Sequence, residues 1–297
     1  MKIKNSQLTV ISLFLLFLYL LSFSSIFDFD RREKISTALL NPKYREQVKR
    51  IELSSDGQSL TLVKKDDFWL VDGKVPASSL QVKKLLDSLS SVKELYRVSK
   101  KNLSDADYGF EDSPFTISCF YDGKESLLIF GKEDFSKNFR YLKTPDNPSV
   151  YQISSYLEGF LSLSPQLWQD MEIISCNIEK NISKNDIQRI IFTDLSSERK
   201  VKTIKPLDSA FSSYADLILS LRHAGSLDDN EGLFSDKVFE IILELGNRDE
   251  IIISAFDKPA GSGGSEADFI LLKVFYKDKN FTSSVRISRW TMEKLRF

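Results

Sequence analysis

Chemistry needs side chains that can hold a proton, a metal or a nucleophilic electron pair, and this chain is sparing with them. His223 is its single histidine, which removes most histidine-based metal sites and triads at once. It follows an apolar helical pattern with no nucleophile near it in sequence, so a helix-end role outweighs catalysis. Cys119 and Cys176 are the only cysteines. In an oxidising compartment they could pair, whereas the apolar strand pattern around Cys119 suits a buried free thiol. Asp105, Asp107, Glu111 and Asp112 cluster, as do Asp228, Asp229, Glu231 and Asp236. Oxygen-rich loops can hold calcium, but neither spacing is that of an EF-hand, and such residues are common in solvated turns and helix starts. Gly261 to Glu266 (Gly-Ser-Gly-Gly-Ser-Glu) lacks the Gly-Lys-Ser/Thr ending of a phosphate cradle and reads as a flexible hairpin tip between Ile253 and Phe269. No catalytic, cofactor-binding or metal-ligating residue is therefore assigned, and the expectation is a non-enzyme without a cofactor.

Aromatic residues offer weaker signals. Trp69, Trp168 and Trp290 could stack on a ligand, but Trp69 lies in a strand pattern and Trp290 opens a helix, which favours core or inter-unit packing. Phe135 and Phe139, near Lys132 and Lys137, could form an exposed partner surface. Asn102, Asn181 and Asn280 begin Asn-x-Ser/Thr triplets, a pattern short enough to recur by chance.

The elements that must position these residues follow from composition and pattern. The chain has 297 residues, 42% hydrophobic and 28% charged, with a net charge of -1. These are globular values, and the balance offers no basic face for nucleic acid. Leu8 to Phe27 is an uncharged apolar run of about twenty residues, enough to span a bilayer as a helix. Lys2 and Lys4 before it favour a cytoplasmic start, with Arg31 and Arg32 as a counter-signal. Ser22 to Ile26 is a poor cleavage pattern, so an uncleaved anchor is preferred to a signal peptide. The expected place is the bacterial cytoplasmic (inner) membrane, single-pass, with the C-terminal part extracytoplasmic, or periplasmic.

The expected fold is α+β: an N-terminal transmembrane helix, then two related units of antiparallel β-hairpins, each with an amphipathic helix and a short closing helix. The bounds are 1–7 for a cytoplasmic N-terminus, 8–27 for the anchor and 28–47 for a charged tether. Residues 48–165 form the first unit, 166–186 a connector and 187–297 the second unit. In the first, Asp56-Gly57 and Asp122-Gly123 mark hairpin turns. Phe68 to Val71 forms a strand, and Pro76 stops the extended run. Ser78 or Ser79 caps a helix whose apolar face is Leu80, Leu85, Leu86, Leu89 and Val92. Tyr108-Gly109-Phe110 and Pro114 make a turn, strands follow at Phe139 to Lys143 and Val150 to Ile153, and Ser154 to Leu161 closes the unit.

The second unit echoes that order at a period of about 125 to 140 residues. Gln188 to Phe192 matches Lys49 to Leu53, and Ser196 to Glu198 stands at the turn. Asp208 or Ser209 caps a helix with Phe211, Tyr214, Leu217, Ile218 and Leu221 on one face. Glu231-Gly232-Leu233 echoes the Tyr-Gly-Phe turn. Phe239 to Leu245 and Ile251 to Ile253 flank Gly246-Asn247, and Arg286 to Trp290 parallels Gln152 to Tyr156.

A hairpin, then Trp69 and a small-residue stretch, a Leu-rich helix, Tyr108-Gly109-Phe110 with Pro114, a strand ending at Gly131, and Val150-Tyr151 before a closing helix: this order resembles the family catalogued as domain of unknown function 4340 (DUF4340). The likeness covers residues 48 to 165 best, with Phe110 standing where the family usually has Leu. The resemblance implies a membrane-anchored accessory protein associated with gliding-type ABC transporters, and it assigns no catalytic residue. The expected function is thus a non-enzymatic extracytoplasmic scaffold contacting the membrane through residues 8–27 and binding an ABC permease or other auxiliary subunit. The alternative is an envelope module that captures a lipid or polymer in a groove between the units.

Overall fold

Asp-Gly pairs set the first hairpins. Both residues of Asp56-Gly57 and of Asp122-Gly123 take positive φ, the geometry whose twist matches that of paired strands. The computed structural model describes residues 12, 14, 15, 33–99, 105–175, 177–178, 182–195, 199–226, 236–246, 249–257 and 269–296. Apart from Ser12, Phe14 and Leu15, which are helical, the expected anchor lies outside them. Among the described residues no helix is long and apolar enough to cross a membrane. Also outside are Ser196 to Glu198, Asp228, Asp229, Glu231 to Leu233, Asn247, Gly261 to Glu266, Cys176, Asn102 and Asn181, as is the side chain of Asp236.

The architecture is mixed α+β, dominated by two antiparallel sheets. The first is built from β1 (Glu33–Thr37), β2 (Val48–Ser55), β3 (Gln58–Lys65), β4 (Phe68–Val71), β5 (Val75–Pro76), β6 (Lys93–Ser99), β7 (Phe115–Tyr121), β8 (Lys124–Glu133), β9 (Phe139–Thr144) and β10 (Asn147–Ser154). Its order is β1-β6-β10-β9-β8-β7-β2-β3-β4-β5. The second comprises β11 (Ile187–Asp194), β12 (Lys200–Ile204), β13 (Gly225–Ser226), β14 (Asp236–Leu245), β15 (Glu250–Asp257), β16 (Phe269–Tyr276) and β17 (Phe281–Ser288). Its order is β12-β11-β14-β15-β16-β17-β13.

Three longer helices accompany the sheets: α1 (Ser79–Ser90), α2 (Phe211–Ser220) and α3 (Arg289–Leu295). Ser78 caps α1, its Oγ accepting from the Gln81 amide at 3.4 Å. The helix buries Val82, Leu85, Leu86 and Leu89, the i, i+3, i+4, i+7 stripe of a core-facing helix. Leu80 was expected on that face, but two residues before Val82 it lies on the opposite side of the helix and is 61% exposed; Val92 lies beyond the helix end and is 68% exposed. For α2 the cap is Ala210, without a side-chain bond, because Asp208 accepts from the Lys205 amide at 2.7 Å and closes the preceding turn instead. Its buried face is Phe211, Tyr214, Ala215 and Ile218. The closing element of the first half is a 3-10 turn, Ser155–Phe160. Ser288 caps α3, accepting from the Thr291 amide at 3.1 Å.

Further departures occur at strands. The tether contributes β1, which pairs with β6, a strand that periodicity did not predict. Pro76 does not stop the extended run but pairs with Leu70, tolerated because β5 is the last strand of its sheet and its outer side meets the connector through the Pro76 carbonyl, so no missing N–H is needed there.

The core falls into two clusters, joined by β4. Trp69 and Val71 face the first cluster with α1, while Phe68, Leu70 and Val75 belong to the second cluster with β11, β14–β17 and α2. The period-2 alternation of a strand thus sends alternate side chains into different cores. Phe68 meets Phe281 edge-to-face at 5.5 Å. The seam between the two sheets is filled with side chains.

Candidate functional site

Four places gather the residues that could act. The first is the Tyr108-Gly109-Phe110 turn. Gly109 takes φ +72, and a Cβ added there would lie 2.9 Å from both Cβ and N of Lys132. A Cβ on Gly131 would lie 2.1 Å from the Tyr108 carbonyl oxygen and 2.9 Å from the Phe110 ring. Gly109 and Gly131 are therefore two sides of one backbone contact, docking the turn on β8. Arg140 holds the strand side, donating to the Gly131 carbonyl at 2.8 Å while its guanidinium grips Glu158 at 2.5 and 2.9 Å. Lys143 reaches Asp105 at 2.7 Å and lies over the Phe110 ring. That removes Asp105 from the acidic cluster as an available ligand. Among the described residues no three His, Cys, Asp or Glu side chains gather at metal-holding spacing.

The second is the connector. His223 is 4% exposed; its Nε2 bonds the Asp170 carbonyl oxygen at 2.7 Å and its Nδ1 accepts from the Gly225 amide at 3.1 Å. The Asp170 carboxylate accepts from Ser175 Oγ at 2.6 Å and from the Asn177 side chain. The Ser175 amide donates to the Tyr276 hydroxyl at 2.8 Å. Aspartate, serine and histidine thus sit together, but the imidazole touches the aspartate's backbone and not the serine, so no base faces a nucleophile. The set is a splice. Asp170 N donates to the Pro76 carbonyl of β5, and Ile173 N to the Leu221 carbonyl beyond α2. His223 is a lock on the connector rather than a charge at a helix end.

Burial lowers the His223 pKa, because the charged imidazolium would lose its water. A group with a depressed folded pKa contributes stability above its unfolded pKa, about 6.5, and that contribution is lost as pH falls towards the folded value. Urea unfolding between pH 7.5 and 5.5 should therefore show stability declining below about pH 6.5, by at most about 1.4 kcal/mol per pH unit. His223→Gln should flatten that window, since no second histidine exists.

Thirdly, Cys119 is a free, buried thiol pushed up to about 12 by desolvation, and so is inert as a nucleophile. Of the tryptophans, Trp168 is fully buried, donating to the Ser162 carbonyl at 2.9 Å, and Trp69 is 8% exposed. Trp290 departs from the expected packing: it is 69% exposed, with the Lys294 ammonium 3.3 Å from its ring centroid. Phe135 is fully exposed at the β8–β9 turn, whereas Phe139 packs edge-on to Tyr96.

The fourth place had no sequence signal. A cleft of about 430 Å³ opens between the 3-10 turn Pro42–Gln47, strands β3 and β4, and the start of α1. Arg45, Glu46, Lys64, Asp67 and Lys83 supply its charges, and Val48, Trp69 and Leu86 its apolar wall. Its cations are scattered over three elements, so no local motif announces them.

Residues 69–210 match the family model described as Domain of unknown function (DUF4340). The match starts later than the hairpin at residue 48 and runs past 165 through the connector to the start of α2, crossing the seam between the sheets. No curated protein and no solved structure matches the chain.

Proposed function

With residues 69–210 assigned to the DUF4340 domain family, we propose that the chain is a non-enzymatic, membrane-anchored extracytoplasmic accessory protein. Its body is a scaffold for a subunit of an ABC transporter complex. The observation that carries this reading is the filled seam. Phe68, Leu70 and Val75 from the first sheet are buried in the core of the second. A shared core makes the two sheets one stiff body, suited to holding partners at a fixed spacing. It also weighs against the alternative of a lipid or polymer groove between the halves, which would need that space open.

We also infer that residues 48–165 and 187–297 descend from one duplicated unit. With β1, β4 and β5 set aside, the first sheet runs β6-β10-β9-β8-β7-β2-β3 and the second β13-β17-β16-β15-β14-β11-β12. Strand for strand, these are the same order in chain sequence. Ser154 and Ser288 precede equivalent closing elements, which adds support. The anchor in this reading is the run Leu8 to Phe27, followed by a body outside the bacterial inner membrane.

Affinity capture of the full-length chain from detergent-solubilised membranes tests the proposal. An ABC permease or its ATPase should be recovered in comparable amount. A chain that comes down with no transporter subunit counts against it.

A further inference from the structure

We propose that the cleft lined by Arg45, Lys64, Trp69 and Lys83 binds a phosphate monoester carried on a small organic group. The inference is independent of any transporter association. A volume of about 430 Å³ lies within the range of small-molecule pockets, roughly 300–1,000 Å³. Among the described residues, neither Lys64 nor Lys83 makes an ion pair. Lys64 stands directly across from Trp69 in the β3–β4 ladder, so ammonium and indole share one face of the sheet. A ligand could set an anionic group on the lysine and a flat apolar part against the ring and Leu86.

The cations choose the anion. The two terminal nitrogens of the Arg45 guanidinium are taken by Glu46, at 3.1 Å, and Asp87, which leaves only its buried Nε without a partner. Lysines remain, and an ammonium recognises charge as a point rather than a carboxylate by a fork. Phosphate suits such donors, with oxygens enough for both lysines. Ser79, in the first turn of the twelve-residue α1, also lines the cleft. The positive dipole end of that helix adds a second attraction for phosphate. Glu46 and Asp67 at the same cleft would repel an extended polyanion, and both already have partners. The site therefore selects one compact phosphate, not a nucleic acid.

Phenyl phosphate is the probe for a free ligand, and vesicles of phosphatidylcholine with or without phosphatidic acid are the probe for the same group on a lipid. The full-length chain in detergent is titrated with phenyl phosphate by calorimetry and tryptophan fluorescence, and vesicle binding is followed by co-sedimentation. Saturable phenyl phosphate binding, weakened about tenfold or more in the K64Q/K83Q double variant and retained in K64R/K83R, supports the site. Added retention on phosphatidic acid vesicles, lost in the same K64Q/K83Q variant, names a lipid source. Its absence names a soluble one. Thermal melting of each variant reports that the fold is intact. The proposal is overturned if neither probe binds saturably, or if binding is indifferent to K64Q/K83Q.

Discussion

The Gly131→Ala variant is expected to lose about 3 kcal/mol of unfolding free energy, the upper end of ordinary overpacking costs. The reason is geometric. Its new methyl would sit 2.1 Å from the Tyr108 carbonyl oxygen, a backbone atom that can retreat only if the whole Tyr108-Gly109-Phe110 turn lifts from β8. Lifting would expose Phe110, which is buried, and pull Lys143 from its place between Asp105 and that ring. Gly57→Ala is the control. Gly57 has φ +72 but open space around it, so only backbone strain of about 1 kcal/mol applies. Urea titration of both variants gives the comparison. Equal losses would mean that the turn is not docked through Gly131.

Phe68→Ala is expected to cost about 3–5 kcal/mol, the range for deleting a buried phenyl ring. The ring is fully buried, and it belongs to the second sheet's core although β4 belongs to the first sheet. Its loss removes the edge-to-face contact with Phe281 and opens a cavity at the seam. Hydrogen exchange should therefore accelerate in β16 and β17, far from residue 68 in sequence, more than in β7 and β8. Phe135→Ala, at a fully exposed ring, should change stability by no more than about 0.5 kcal/mol. If the two phenylalanine variants are equally stable, the seam is not a shared core.

Legibility in the sequence followed the locality of each interaction. Hairpin turns at Asp56-Gly57 and Asp122-Gly123 were readable because two residues alone dictate positive φ there. The α1 stripe was readable at Leu85, Leu86 and Leu89 but not at its ends, since Leu80 and Val82 are both apolar and only packing chooses between them. Strands β1 and β6 left no signal: Glu33 to Thr37 is almost wholly exposed, and along Lys93 to Ser99 only Leu95 is buried. Gly109 and Gly131 were each visible in the family pattern, but their mutual contact lies across the fold. The cleft was invisible for the same reason, because Arg45, Lys64 and Lys83 converge only after the 3-10 turn, β3 and α1 are in place. His223 was singled out correctly as the lone histidine, yet its partner is a backbone carbonyl, which no sequence pattern encodes.

Native mass spectrometry of the full-length chain, extracted gently from its membrane, tests the scaffold reading most directly. The expected species is a complex whose mass is that of this chain plus an ABC permease or ATPase subunit, surviving dilution. A species with the mass of the chain alone, or of the chain with only a lipid-sized adduct, would contradict it.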